Sequence, residues 1–168
     1  FAKQIYEYTV DDTAFIFHSD HGEAFGEHGT YGHQEQLYPE NVHVPLLVHN
    51  GETASSIREP VSTLSLPDLT LSAASSQAQF EDVTSDYVFS ETEFGDQHAI
   101  ITRSYHVVLN EDETRVFKCS NGKSEEIKVP KDVEALFGAL IDAEFAEQKE
   151  MNRIVGAVEQ ASIADDLG

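Results

Sequence analysis

Residues 14–23 read Ala-Phe-Ile-Phe-His-Ser-Asp-His-Gly-Glu, an apolar run followed at once by a polar cluster. The apolar residues 14–17 are bounded by turn-forming residues, a pattern typical of a strand buried on both faces of a parallel sheet. In open α/β sheets, ligands bind just beyond the carboxyl ends of the strands. The pattern therefore predicts a strand that presents residues 18–23 to a ligand site.

A second apolar run at residues 44–48 predicts another strand, and Pro45 suits the start or the edge of such a strand. A polar loop rich in Gly and His joins the two runs. A short helix is expected near Asp68–Ala74. Together these features predict that residues 1–82 form a piece of an α/β core. Separately, the apolar residues within 5–10, which are followed by the turn residues 11–13, predict the end of a helix.

Residues 83–168 have a different pattern, which predicts a small antiparallel sheet followed by a helix. Five short β-rich runs occur at residues 87–89, 99–102, 105–109, 115–117 and 126–129. Turn signals at residues 110–113 and at Asn121-Gly122 separate them, as in a meander. Apolar residues at 133, 136, 137, 140 and 141 follow the helical period, with Asp132 as the expected N-cap.

The charge of the chain excludes several classes of partner. The 168 residues include 31 Asp plus Glu and 10 Lys plus Arg, giving a formal net charge of -21. Such a surface repels nucleic acid and anionic membranes. The acidic residues are spread along the chain, which indicates adaptation to high salt, although an ordinary acidic protein is the alternative.

No apolar run approaches the roughly 20 residues that a membrane helix needs, and no signal peptide is evident, which favours a cytoplasmic location. Oligomeric state stays open. The single cysteine, Cys119, excludes an intramolecular disulfide and a multi-cysteine zinc site.

Histidines and carboxylates are concentrated after the first predicted strand. Five of the eight histidines fall between residues 18 and 43, together with Asp20 and Glu23. Carboxylates bind hard divalent cations, and a neutral imidazole can add a further ligand. The adjacent Asp20 and His21 could thus form part of a metal site, while solvated surface residues are the alternative.

The order of the short motifs resembles the second conserved block of the sulfatase family, in the alkaline-phosphatase-like superfamily. These motifs are Ser19-Asp20-His21-Gly22-Glu23, Gly26-Glu27-His28-Gly29, Tyr31-Gly32-His33, Leu37-Tyr38 and Val44-Pro45-Leu46-Leu47-Val48. Residues 59–71, the predicted meander and the ending at residues 163–168 resemble later parts of such enzymes. The resemblance implies a partial alkaline-phosphatase-like central sheet, then the meander and a C-terminal helix. It covers only the C-terminal portion of a sulfatase.

The resemblance implies roles for three residues. Asp20 and His21 correspond to ligands of one divalent cation, usually Ca²⁺, with Mn²⁺ or Mg²⁺ as options. His33 corresponds to a Lys or His that contacts the sulfate, where it would neutralise charge or protonate the leaving oxygen. A plain loop histidine is the alternative for His33. Structural or surface roles are expected for His18, His28 and His43, and supporting or turn roles for Glu23 and Glu27.

A nucleophile of the sulfatase type is missing from these residues. Sulfatases use a formylglycine made from the Cys or Ser of a C/S-x-P-x-R motif, and no such motif occurs here. Cys119 is followed by Asn121 and Lys123 where the motif needs Pro and Arg, so it is interpreted as a structural thiol. The chain alone is therefore expected to be inactive.

Three functions stay open at this point. The first is a fragment of a metal-dependent hydrolase of small sulfuric esters. The second is a phosphate or phosphonate ester hydrolase of the same superfamily, because the Asp-His pair is shared. The third is a non-catalytic acidic module from a truncated gene, acting as a folding or interaction unit.

Overall fold

The computed structural model describes residues 13–33, 36–49, 56–74, 83–93, 95–110 and 113–166. The helix end expected at residues 5–10 lies outside this part of the chain. In the first half the elements are β1 (Phe15–His18), β2 (Ala24–Phe25), a 3₁₀ helix (Glu27–Gly29), β3 (Tyr31–Gly32), α1 (Pro39–Val42), β4 (Leu46–His49), a second 3₁₀ helix (Thr63–Ser65) and α2 (Leu66–Ala74). In the second half they are β5 (Tyr87–Glu91), β6 (Gln97–Thr102), β7 (Tyr105–Asn110), β8 (Thr114–Ser120), β9 (Lys123–Ile127) and α3 (Lys131–Asp166).

Both predicted strands of the first half are present, but β1 pairs antiparallel with β4. The expectation of a parallel neighbour is wrong for this pair, because a four-residue apolar run carries no information about strand direction. Burial on both faces is also wrong, since Phe17 is 47% exposed and Leu47 is 55% exposed. The larger alkaline-phosphatase-like central sheet stays a prediction.

The predicted helix near Asp68–Ala74 is confirmed as α2, which begins at Leu66. The hydroxyl of Ser62 accepts the backbone N–H of Leu64 at 3.2 Å and so caps the preceding 3₁₀ helix. Leu69 and Ala73, one turn apart, are the buried residues of α2. Among the described residues, no helix has the length and apolar character needed to cross a membrane.

The predicted meander is confirmed as one five-stranded antiparallel sheet in the order β5-β6-β7-β8-β9. The turn between β8 and β9 places Asn121 at φ 51° and Gly122 at φ 71°. Two successive positive φ angles define a tight hairpin turn that Asn-Gly adopts readily. The turn signal in the sequence therefore has a direct structural cause.

Helix α3 covers one face of the meander. Ile141 and Phe145 pack on Val107 and Val116 of the sheet. The predicted N-cap is wrong, because α3 begins at Lys131 and Asp132 lies within its first turn. There the carboxylate still favours the helix by its position near the positive end of the helix dipole.

The other face of the meander packs against the first half of the chain. Leu37 and Tyr38 form a buried cluster with Ala99, Val108 and Phe117. Successive residues of a strand point to opposite faces, so Val107 meets α3 while Val108 meets this cluster. Residues 37 and 38 are thereby fixed to the sheet. The division of the chain at residue 82 stays a prediction.

Candidate functional site

The polar loop that follows β1 folds back on itself in a local turn. The hydroxyl of Ser19 donates to the carbonyl of His21 at 2.6 Å, and the backbone N–H of His21 donates to Asp20 Oδ1 at 3.1 Å. A hydrogen bond from its own backbone N–H and the proximity of His21 hold the pKa of Asp20 below its usual value. The Asp20 carboxylate is therefore ionised and exposed at neutral pH.

Two histidines from different loops meet in this region. The rings of His21 and His33 stack, with centroids 4.0 Å apart and an interplanar angle of 25°. His33 Nδ1 lies 3.0 Å from Glu23 Oε2. His21, Glu23 and His33 each offer one ligand atom, and these atoms all lie within 4.8 Å of one another. Within the described residues, these three side chains thus offer three ligand atoms to one metal ion.

Glu23 belongs to this group, although its sequence context predicted only a supporting or turn role. The reason is the β2–β3 hairpin, in which Ala24 pairs with Gly32. Continuing that register by one residue places Glu23 opposite His33. Each strand has only two residues, so the sequence contains no alternating pattern that would predict the pairing. The hairpin register is the signal that would have identified Glu23.

Helix α1 forms hydrogen bonds with both loops of the site. The backbone N–H of Gly22 donates to the carbonyl of Asn41 at 2.7 Å, and Asn41 Nδ2 donates to the carbonyl of Gly32 at 3.3 Å. Asn41 is 3% exposed. A Cβ atom at Gly22 would lie 1.9 Å from the carbonyl oxygen of Glu40, so only glycine permits this approach. Asn41 therefore connects the His21 loop to the His33 loop.

A second set of buried contacts ties the following segment to the meander. The backbone N–H of Leu37 donates to Gln97 Oε1 at 3.0 Å, and the carbonyl of Leu37 accepts from His106 Nε2 at 2.7 Å. His106 is 1% exposed, and its burial lowers the pKa to about 4. His106 is thus a neutral structural donor at pH 7.

The structural role expected for His28 fits its contacts. His28 Nδ1 lies 2.7 Å from Glu40 Oε1, and the ring packs against Tyr38 and the edge of Phe117. His28 adopts φ 53°, an uncommon conformation for a residue with a side chain, next to Gly29 at φ 78°. The side chain braces the loop against the core.

Asp20, His21 and His33 line one cleft of about 1120 Å³. The cleft extends from these residues along β4 and past the start of α2 to the turn between β6 and β7. Its lining combines apolar side chains of β4 with polar and charged groups. This mixture suits a ligand that has an apolar body and a polar group.

The chemistry of the clustered side chains fits a divalent cation. Ligand atoms around one ion lie about 2.0 to 2.6 Å from it, which allows separations like those in the His21, Glu23 and His33 group. Asp20 is not in that group, but its Oδ2 lies 3.8 Å from His21 Nε2. Two imidazoles with carboxylate oxygens form a mixed nitrogen and oxygen donor set.

Cys119 lies on β8 and contacts Ser124, with 3.6 Å between Sγ and Oγ. It makes no disulfide. Its structural interpretation stays a prediction.

The comparison with protein families connects this geometry to known enzymes. The Sulfatase family model matches residues 6–76, which include the loop after β1, the β2–β3 hairpin and helices α1 and α2. No curated protein and no solved structure matches the chain significantly. The meander and α3 lie outside the matched segment. Over residues 6–76, less than half of its length, the chain is similar to the sulfatase family.

Proposed function

We propose that the chain is part of a metal-dependent hydrolase of small sulfuric esters. One observation carries the proposal: His21 and His33, from two loops of the family-matched segment, stack at 4.0 Å beside Glu23. Two imidazoles thus converge beside a carboxylate, and both imidazoles line a cleft that has room for a small ester.

Asp20 and His21 would hold the divalent cation. The side chain of His21 places Nδ1 2.9 Å from the carbonyl of Gly22, so Nδ1 carries the proton and Nε2 keeps its lone pair for a metal. Asp20 Oδ2 faces that Nε2 atom at 3.8 Å. The bound cation would supply positive charge to the oxygens of the ester.

Two arguments bear on the identity of the cation. Ca²⁺ follows from the family resemblance, and Ca²⁺ prefers oxygen ligands. The imidazole of His21, with Glu23 and His33 close by, favours an ion that accepts nitrogen, such as Mn²⁺. We propose Ca²⁺ as the resident ion and Mn²⁺ as its strongest competitor.

His33 would act on the sulfate group itself. Its Nδ1 atom faces Glu23 Oε2 at 3.0 Å, so the Nδ1–H donates to the carboxylate and Nε2 is left for the substrate. In its protonated form, His33 would donate the Nε2 proton to the leaving oxygen or neutralise charge on the ester. Glu23 is then a positioning residue that fixes the orientation of the ring.

Attack on sulfur needs a group that these 168 residues do not contain, since no C/S-x-P-x-R motif is present. We therefore expect no turnover of an aryl sulfate by the purified chain in Ca²⁺ or Mn²⁺. Turnover that disappears when one residue of the chain is changed would contradict this expectation.

Binding measurements test the proposal without turnover. Titration calorimetry with Ca²⁺, Mn²⁺ and Mg²⁺ gives the metal affinity of the chain, and phenyl sulfate is then titrated in saturating metal. We expect metal-dependent binding of phenyl sulfate that is lost in His33→Ala, and metal binding that is weakened at least tenfold in Asp20→Asn.

The control is His98→Gln, which changes a histidine of the meander that stacks on Phe145 outside the cleft. Its ligand affinities should match those of the wild type. Tighter binding of phenyl phosphate than of phenyl sulfate would favour the phosphate ester alternative. Absence of binding for both esters would favour a non-catalytic acidic module.

A further inference from the structure

Permanent positive charge in the cleft is confined to two arginines among the described lining residues, Arg58 and Arg103. The cleft also has six histidines, which are formally neutral at pH 7. Its carboxylates are Asp20, Glu59 and Glu93. Lining acids outnumber lining bases by only three to two, whereas the whole chain has 31 acidic and 10 basic residues. The cleft is therefore much less negative than the chain around it.

Glu59 connects the two arginine positions. Arg103 lies in the turn between β6 and β7, and its Nη1 donates to Glu59 Oε1 at 3.2 Å. The other oxygen, Oε2, accepts the backbone N–H of Arg58 at 3.2 Å. Hydrogen bonds from the backbone N–H groups of Glu59 and Arg58, and then the charges of Arg103 and Arg58, hold the pKa of Glu59 below its usual value. The meander turn and the segment before α2 thus meet at one edge of the cleft.

The guanidinium of Arg58 differs from those of the other three arginines. Arg103 pairs with Glu59, Arg115 with Glu113 at 2.7 Å, and Arg153 with Glu150 at 2.7 Å. Within the described part of the chain, Arg58 makes no ion pair through its side chain. Its charge acts on Glu59 without a direct ion pair, so the exposed guanidinium is available to an external anion.

We infer that Arg58 and Arg103 form an anion subsite for a second acidic group of the substrate, a carboxylate or a second sulfate. The inference rests on the proposed function, which places the scissile sulfate at His33. A doubly charged ester is repelled by a chain of formal charge -21, so its second anionic group needs local compensation. Arginine meets this need, because its planar fork binds carboxylate or sulfate through two parallel hydrogen bonds.

Two probes that differ by one charge test the subsite in the full 168-residue chain. Phenyl sulfate has one anionic group, and 4-carboxyphenyl sulfate has the same ester with a carboxylate added. In saturating metal, we expect the wild type to bind the doubly charged probe up to about fivefold more tightly, which is the upper end for one exposed ion pair. Arg58→Gln and Arg103→Gln should each reduce this preference, and the double variant should remove it.

The matched control is Arg153→Gln, which removes an arginine of α3 that lies outside the cleft and should keep the full preference. Because Arg103 also contacts Glu59, circular dichroism checks the fold of each variant, and Arg58→Gln alone removes no side-chain ion pair among the described residues. Molar salt should reduce the preference in the wild type.

The outcomes separate the two proposals. Equal affinity for the two probes, or a preference that survives in the double variant, overturns the anion subsite and leaves the proposed function standing. A preference that needs the arginines but persists in His33→Ala supports an anion site and contradicts the proposed role of His33. Failure of both probes to bind overturns both proposals.

Discussion

The two halves of the molecule differ in the length of their strands and in the contacts that stabilise them. The meander has five strands of five to seven residues, each paired along its length, and α3 covers one of its faces. The site region, residues 13–33 and 36–49, has strands of two to four residues and a four-residue α-helix. Such short elements have few hydrogen bonds of their own and depend on contacts with other parts of the chain.

Those contacts come from a few buried polar groups. Asn41 holds the Gly22 and Gly32 backbones, while Gln97 and His106 of the meander hold Leu37. The comparison teaches that the meander acts as the support on which the site loops are assembled. It also indicates that the site can be disturbed while the meander stays folded, whereas loss of the meander removes both.

The largest expected effect follows from removing the side chain that joins the halves. Phe117 is 1% exposed and packs between the meander and the rings of His28 and Tyr38. We expect Phe117→Ala to lower the free energy of unfolding by about 3 to 5 kcal/mol, because it leaves a cavity at the shared core. Urea unfolding measures this.

Phe25→Ala is the control, because Phe25 is 77% exposed and should change stability by less than about 0.5 kcal/mol. Equal effects of the two substitutions would contradict the supporting role of the meander.

The next effect concerns the stability in acid of the contact between His106 and the carbonyl of Leu37. His106 has a pKa of about 4 in the folded chain, below the ordinary histidine value of about 6.5. As the pH falls through this interval, the unfolded chain binds a proton that the folded chain excludes, so stability decreases. The loss should approach about 3 kcal/mol by pH 4 and be absent above pH 7.

Unfolding from pH 4 to pH 7 in wild type and His106→Gln isolates this contribution, because glutamine keeps an N–H donor and does not titrate. The wild type should lose more stability than the variant as the pH falls. Parallel pH profiles would show that His106 protonates freely in the folded chain.

The same contrast explains how much of the fold the sequence revealed. The meander was predictable because alternating β-rich runs and the Asn121-Gly122 turn are local signals. Helix α2 was predictable for a similar reason. The direction of β1 relative to β4 was not, since pairing depends on the path of the chain between them.

For the site, the motif order led to Asp20, His21 and His33, and the structure brings all three to one cleft. Their roles stay proposals. Glu23 was underestimated because its position depends on the register of a two-residue hairpin. The hydrogen bond from His106 to the carbonyl of Leu37 joins residues 69 positions apart, and no local sequence pattern indicates such a contact.

A smaller and more local effect should follow from Asn41→Ala. The variant loses the amide that donates to the carbonyl of Gly32 within a buried environment, at a cost of about 1 to 3 kcal/mol. We expect His21 and His33 to separate, with loss of the ring-current shifts in their imidazole NMR signals. Hydrogen exchange in the meander should stay unchanged.

Asn41→Asp separates the hydrogen bond from the packing, because aspartate keeps the shape of the side chain and, when ionised, has no donor. Both variants should lose the stacking of His21 on His33. Retained ring-current shifts in both would contradict the role of Asn41 as the connection between the loops.

The smallest difference between the two halves should appear in their response to salt. Residues 1–82 have 2 basic and 13 acidic residues, a formal charge of -11, and residues 83–168 have 8 and 18, a charge of -10. Like charges repel in the compact state, and the screening length falls from about 10 Å at 0.1 M to about 3 Å at 1 M salt. Both halves should therefore gain stability as potassium chloride rises past 1 M, and by similar amounts.

Thermal melts report the overall gain, and hydrogen exchange at low and molar salt reports each half separately. An unchanged or lower melting midpoint in molar salt would leave the acidic composition as a feature of solubility. A gain in stability confined to the meander would show that salt relieves charge repulsion only in the half that is built from long paired strands.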